Sequence, residues 1–272
     1  MSASGESADT EPSPPRRRGI YLLPNLFTTA TLFGGFYAIV ASLRGEFVPA
    51  AMAIFAAMVA DTLDGRVARL TNTQTDFGKE YDSLSDMVTF GLASGVVIYI
   101  YTLHSLAGAI PYGGKLAWLG AFVYTACAAL RLARFNVSAH LSGGKGYFFG
   151  LPSPSAAGVT AGFVWVCAEM GISGESPFVA ITAFVLTIMA ALLMISNVRY
   201  YSFKDLNLKE RVPFIYIVAI VGLFVLVSFD PPKVAFSVFL VYMVSGPVIT
   251  LLRRRRKRHS VEAGSSPADD PQ

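Results

Sequence analysis

The sequence predicts an all-α polytopic membrane protein of about eight transmembrane helices, with a polar cavity facing the cytoplasm. Three observations predict it. Hydrophobic residues make up 53% of the 272-residue chain, and its mean hydropathy is +0.52. Charged residues are only 15%, against about 25% in an average soluble domain. Those charges are also sorted, leaving stretches free of Asp, Glu, Lys and Arg at 19–43, 47–60, 87–114, 116–130, 146–168, 176–198, 212–229 and 234–252. Such a composition excludes a disordered chain and a small secreted domain. Two cysteines, Cys127 and Cys167, exclude a disulfide scaffold and a cysteine-based zinc site. A net charge of +4 is too small to argue for nucleic acid, and no such partner is expected.

A helix needs about 20 apolar residues to cross a bilayer. The stretches 47–60 and 116–130 are too short alone, but each runs on into a helix-compatible charged segment, 61–70 and 131–135. Spans two and four therefore keep charge at one end. Arg44, Lys115 and Lys233 lie in short turns on one side of the membrane. The other cations gather on the opposite side or in the helix ends that face it: Arg16 to Arg18, Arg66, Arg69, Lys79, Arg131, Arg134, Lys145, Arg199, Lys204, Lys209, Arg211 and the run 253–258. By the positive-inside rule both termini and the longer loops are cytoplasmic, as for a protein of a bacterial inner membrane. The apolar run after Arg18 is too long for a signal-peptide core and reads as a retained span. Residues 1–18 read as a disordered tail, 19–196 as a catalytic membrane core of six spans, and 197–252 as a loop and two further spans. Residues 253–272 read as a basic and then disordered tail in contact with anionic lipid.

Carboxylates near a bilayer core are costly and mark functional sites. Asp61 and Asp64 stand three apart on span two. At about 100° per residue, with Asp61 at zero, Asp64 falls near −60°, Gly65 near +40° and Ala68 near −20°. One face thus carries two acids and two residues with almost no side chain, which leaves room for a ligand against the backbone. Arg69 lies at its rim. The next span opens in the same way, with Asp82 and Asp86 four apart and Gly78 four before Asp82. These are four hard oxygen ligands without His or Cys, a set suited to Mg²⁺ or Mn²⁺, with one or two ions relieving the repulsion. A structural reading would instead pair the acids with Arg66, Arg69 and Lys79. A transporter with acidic ion sites would also explain the acids, but not the small residues beside them.

The pattern Asp61-x2-Asp64-Gly65-x2-Ala68-Arg69-x8-Gly78-x3-Asp82-x3-Asp86 matches, without a departure, the motif of the CDP-alcohol phosphatidyltransferase family, which this chain resembles. The resemblance implies a membrane enzyme that moves a phosphatidyl group from a CDP-linked lipid to an alcohol and releases CMP. It implies that Asp61, Asp64 and Asp82 hold two divalent ions, and that Asp86 is the general base with a share in the second metal site. It places Asn25, Thr28, Gly65, Ala68, Arg69 and Gly78 against the CDP-lipid, and it implies a homodimer.

Further stretches resemble the branch of that family whose donor is CDP-diacylglycerol and whose acceptor is L-serine. They are Leu23 to Thr28, Tyr81 to Asp86, Leu130 to Asn136, Phe149 to Pro154 and Met194 to Asn197, extended by Tyr200 and Ser202 to Lys204. Two departures are visible: Thr31 stands where the branch has Asn, and Ser94-Gly95 where it has Pro-Ala. A serine carboxylate suits the two-pronged donor of arginine. Arg131 and Arg134, with Asn136 beyond them, are the expected acceptor contacts. Acceptors bearing a phosphate would need a tighter cluster of cations. Cys127, Cys167, His104 and His140 belong to no chemical pattern.

Overall fold

The computed structural model describes residues 22–71, 73, 75–141, 150–198, 200, 222, 225, 226 and 228–264. The principal elements are α1 (Leu22–Leu43), α2 (Phe47–Leu70), α3 (Asp76–Asp86), a π-helical segment (Met87–Ala93) and α4 (Ser94–Tyr101). A 3₁₀ turn (Leu103–Ser105) and α5 (Leu106–Ala109) lead to α6 (Gly113–Leu141), α7 (Ser153–Glu169), α8 (Pro177–Ile195) and α9 (Pro231–Gly264). No strand occurs among the described residues.

Among the described residues, six helical rods are long and apolar enough to cross a membrane: Pro24–Leu43, Phe47–Leu70, Asp76–Tyr101, Gly113–Val137, Pro177–Ile195 and Pro231–Thr250. The fifth expected span is α7, only 17 residues long. It packs against α2, α4, α8 and α9 and is buried along most of its length. Its small residues, Ala156, Ala157, Gly158, Ala161 and Gly162, let those neighbours approach closely. The expected span 212–229 lies almost wholly outside the described residues, as do the tail 1–18, Lys145 and His140's side chain.

Two expected boundaries are corrected. The third rod carries Asp82 and Asp86 near its opening, as expected, but it starts at Asp76, six residues before Asp82, and stops at Tyr101 inside the charge-free run 87–114, where Thr102 turns to φ −148°. The last helix does not end at 252 but continues through the cationic run to Gly264. Arg and Lys are good helix formers, and no Gly or Pro interrupts them before that point.

Local signals fix the ends. Thr75 caps α3, its Oγ1 accepting from the Gly78 amide at 3.0 Å. Asp230 caps α9, its Oδ1 accepting from the Lys233 amide at 3.2 Å. The hydrogen bond from the Lys233 side chain holds the Asp230 carboxyl below the usual carboxylate range. Pro177 opens α8, where its missing N–H removes no helical bond.

The π-helical segment leaves carbonyls to be satisfied from outside its own ladder. Tyr124 donates to the Phe90 carbonyl at 3.0 Å, and Thr125 to the Gly91 carbonyl at 3.3 Å, both from α6. Thr89 donates to the Thr31 carbonyl of α1 at 2.9 Å. Thr31, the departure noted above, is buried and donates to Phe27 and Ala57 carbonyls, so it serves the α1–α2 contact. Ser94 is buried and donates to the Thr89 carbonyl, and Gly95 lies against Thr125 and Tyr124 of α6.

The helices alternate in direction, so one end of the bundle collects particular termini. These are the start of α1, the end of α2, the start of α3, the end of α6, the start of α7 and the end of α8. α9 runs antiparallel to α7, with Phe236 against Gly162 and Phe239 against Gly158. Its later half therefore reaches the same end.

Candidate active site

The four acids meet at that end. Asp61, Asp64 and Asp82 each offer a carboxylate oxygen within 4.8 Å of the others. Asp86 lies within hydrogen-bonding reach of Asp61 and joins the group from one turn below Asp82. Asp64 is the most enclosed, at 4% exposed, and Thr28 Oγ1 donates to its Oδ2 at 3.0 Å. The Thr28 carbonyl in turn accepts from the buried Ser85 hydroxyl at 3.0 Å. One residue of α1 thus clamps α2 to α3.

No ion pair among the described residues involves the four acids. Lys79 bonds to Asp76 instead, at 3.2 Å, and Arg66 and Arg69 are exposed. The acids are therefore not a salt-bridge cluster. Asp86 Oδ1 is buried and has no hydrogen-bond partner among the described residues. Three converging carboxylates and a buried, unsatisfied fourth oxygen fit a hard divalent cation.

The small residues lie where the helical wheel puts them. Gly65 is exposed, and a Cβ there would meet nothing within 4 Å. Ala68 lies on the same face, and Arg69 is at its exposed rim. A Cβ on Gly78 would come 3.6 Å from Asn25 Oδ1, so Asn25 of α1 and Gly78 of α3 are neighbours.

The three residues expected at the acceptor separate. Arg131 is half-buried and lies within electrostatic reach of Asp86 and Asp61. It donates to Ser153 Oγ at the start of α7, at 2.5 Å. A guanidinium has five donors, so most remain for a ligand. Arg134 is exposed and ties α6 to the end of α8, through the Ile195 carbonyl at 3.4 Å and Asn197 Oδ1 at 2.7 Å. Asn136 is paired with Ser83, its Nδ2 donating to the hydroxyl at 3.0 Å. Ser153 lies in the stretch Phe149 to Pro154 that carries the resemblance but was given no role, and Tyr242 was not singled out, because each comes near Arg131 only through the packing of distant helices.

The chain is similar to known proteins over most of its length. Residues 21–202 match the family model described as CDP-alcohol phosphatidyltransferase. A CDP-diacylglycerol–serine O-phosphatidyltransferase of Helicobacter pylori is 34% identical over 230 residues, which are 84% of this chain and 90% of that protein. One of Methanocaldococcus jannaschii is 33% identical over 193 residues, covering 71% of this chain and 80% of that one. An archaetidylserine synthase of Methanothermobacter thermautotrophicus is 33% identical over 180 residues, 65% of this chain and 69% of its own.

Proposed function

The chain belongs to the CDP-alcohol phosphatidyltransferase family, and on that premise we propose that it transfers the phosphatidyl group of CDP-diacylglycerol to the hydroxyl of L-serine, giving phosphatidylserine and CMP. The observation that carries the reading is the closure of Asp61, Asp64 and Asp82 into one cluster with Arg131 beside it.

Asp61, Asp64 and Asp82 would hold Mg²⁺ or Mn²⁺, two ions with Asp86 sharing in the second, and metal held there would supply charge neutralisation for the diphosphate and the departing CMP. Thr28 keeps the Asp64 carboxylate aimed. Gly65, Ala68 and Gly78 give the nucleotide clearance, Asn25 approaches it from α1, and Arg69 steadies a phosphate. The guanidinium of Arg131 binds the serine carboxylate. Arg134 and Asn136 shape the acceptor side by fixing the ends of α8 and α3. Asp86 accepts the serine hydroxyl proton. The serine oxygen bonds to the lipid-side phosphorus as the bond from that phosphorus to CMP breaks, in line. The acyl chains stay in the bilayer while the head occupies a polar cavity at the cytoplasmic face of a bacterial inner membrane. The active protein is a homodimer with both termini in the cytoplasm.

The test is CMP release by purified protein given CDP-diacylglycerol and Mn²⁺ or Mg²⁺, with serine, glycerol phosphate, inositol, inositol phosphate or choline. Serine-dependent release, abolished by a chelator, is expected. Release with another acceptor would overturn the serine assignment. Absence of release with every acceptor, from folded protein, would turn attention to transport.

A further inference from the structure

The last helix brings one more side chain to the site. α9 lies beyond the segment 21–202 that carries the family match, and the acid motif needs nothing from it. Yet its seat is closely specified. A Cβ on Gly158 would stand 2.5 Å from the Phe239 ring, and one on Gly162 would stand 3.1 Å from the Phe236 backbone. With that register, Tyr242 comes level with the start of α7, where Ser153 holds Arg131. The Tyr242 ring packs on Tyr200, with centroids 5.3 Å apart and planes 39° apart. Tyr200 is anchored in turn: its hydroxyl donates to the Met243 carbonyl at 3.0 Å, and its ring fills the space that Gly246 leaves. Arg131 therefore has Tyr242 within electrostatic reach, together with Asp86 and Asp61.

We propose that Tyr242 is a positioning residue for the acceptor: braced by Tyr200, its phenol orients the Arg131 guanidinium to receive the carboxylate of an amino-acid acceptor beside the acid cluster. The inference rests on the reading of Arg131 as the carboxylate ligand. A guanidinium on a flexible stem has many orientations, and Ser153 alone fixes one donor. A phenol held at this level by α9 would set the plane of the fork, and the plane decides whether a carboxylate binds through two bonds or one.

The experiment uses the full chain in detergent with CDP-diacylglycerol and Mn²⁺. Tyr242→Phe keeps the ring against Tyr200 and removes only the hydroxyl. It is expected to raise the serine KM about tenfold, the scale of one hydrogen bond to a charged group. The KM for CDP-diacylglycerol and the Tm should stay at wild-type values. In an Arg131→Lys background the same change should add less than about twofold, since no fork remains to orient. An unchanged serine KM, an equal rise for both substrates, or a full effect in the Arg131→Lys background would overturn the proposal. Wild-type protein without serine-dependent CMP release would overturn the function and this inference together. Wild-type release combined with an indifferent Tyr242→Phe would overturn the inference alone.

Discussion

Asp64 is buried, and Thr28 is its one side-chain donor among the described residues. This makes the pair a test of metal ligation that leaves every carboxylate in place. Loss of such an outer partner typically costs about 10–100-fold in metal affinity or activity. Thr28→Val should therefore raise the Mn²⁺ concentration for half-maximal rate by at least about tenfold, with the serine KM unmoved. An unaltered metal titration would show that Thr28 does not steer Asp64. The acids themselves divide by role. Asp61→Asn and Asp82→Asn should abolish turnover and weaken metal dependence, and near-normal turnover would remove the metal assignment. Asp86→Asn should lose about 10²–10⁴-fold in turnover while CDP-lipid binding persists, measured by retention of the labelled donor. If binding vanished as well, Asp86 would be chiefly a ligand. These four acids were legible in the sequence because helical spacing alone puts them on shared faces. Ser153 and Tyr242 were not, because 22 and 111 positions separate them from Arg131. Only the packing of α6, α7 and α9 makes them neighbours.

Among the elements, the π-helical segment directly after Asp86 shows what periodicity cannot foresee. A charge-free run reads as regular helix, yet here one stretch is wound wider and its carbonyls are satisfied by α6. The segment joins α4, whose residues are largely buried, to α3, which carries Asp82 and Asp86. Tyr124 is fully buried, and Tyr124→Phe leaves the Phe90 carbonyl without its donor. A buried group left unsatisfied costs about 1–3 kcal/mol, so Tm should fall. Turnover should fall with it if the winding aims Asp86. A variant with lowered Tm but full turnover would mean that the segment serves packing only. The acids near the opening of the third rod were readable from their spacing, though the rod starts at Asp76, capped by Thr75, six residues before Asp82. Its stop at Tyr101 was not, because the next residues are as apolar as a span. They turn instead to meet the α7–α8 connection, where Thr102 donates to the Gly174 carbonyl at 2.7 Å and His104 contacts Glu175 at 3.0 Å.

For the whole molecule, the direction of α9 joins the chemistry to the orientation in the membrane. At about 1.5 Å per residue, its 34 residues extend about 51 Å, well beyond a hydrocarbon core of about 30 Å. The surplus lies at its C-terminal end, where the sequence runs Arg253 to Arg258, and that is also the end of the bundle holding the acids. Cations beside a span favour the cytoplasmic side, so the tail predicts that the acids face the cytoplasm. The prediction can be checked with single-cysteine variants and a membrane-impermeant maleimide, since native Cys127 and Cys167 are buried. Lys79 and Glu175 have side chains 60% and 71% exposed, at opposite ends of the bundle. In intact cells Glu175→Cys should react and Lys79→Cys should not, and permeabilisation should make Lys79→Cys reactive. The reverse pattern would put the acid cluster outside the cell. CDP-diacylglycerol would then have to reach it from the outer leaflet, and the cationic run would no longer explain how the bundle is inserted.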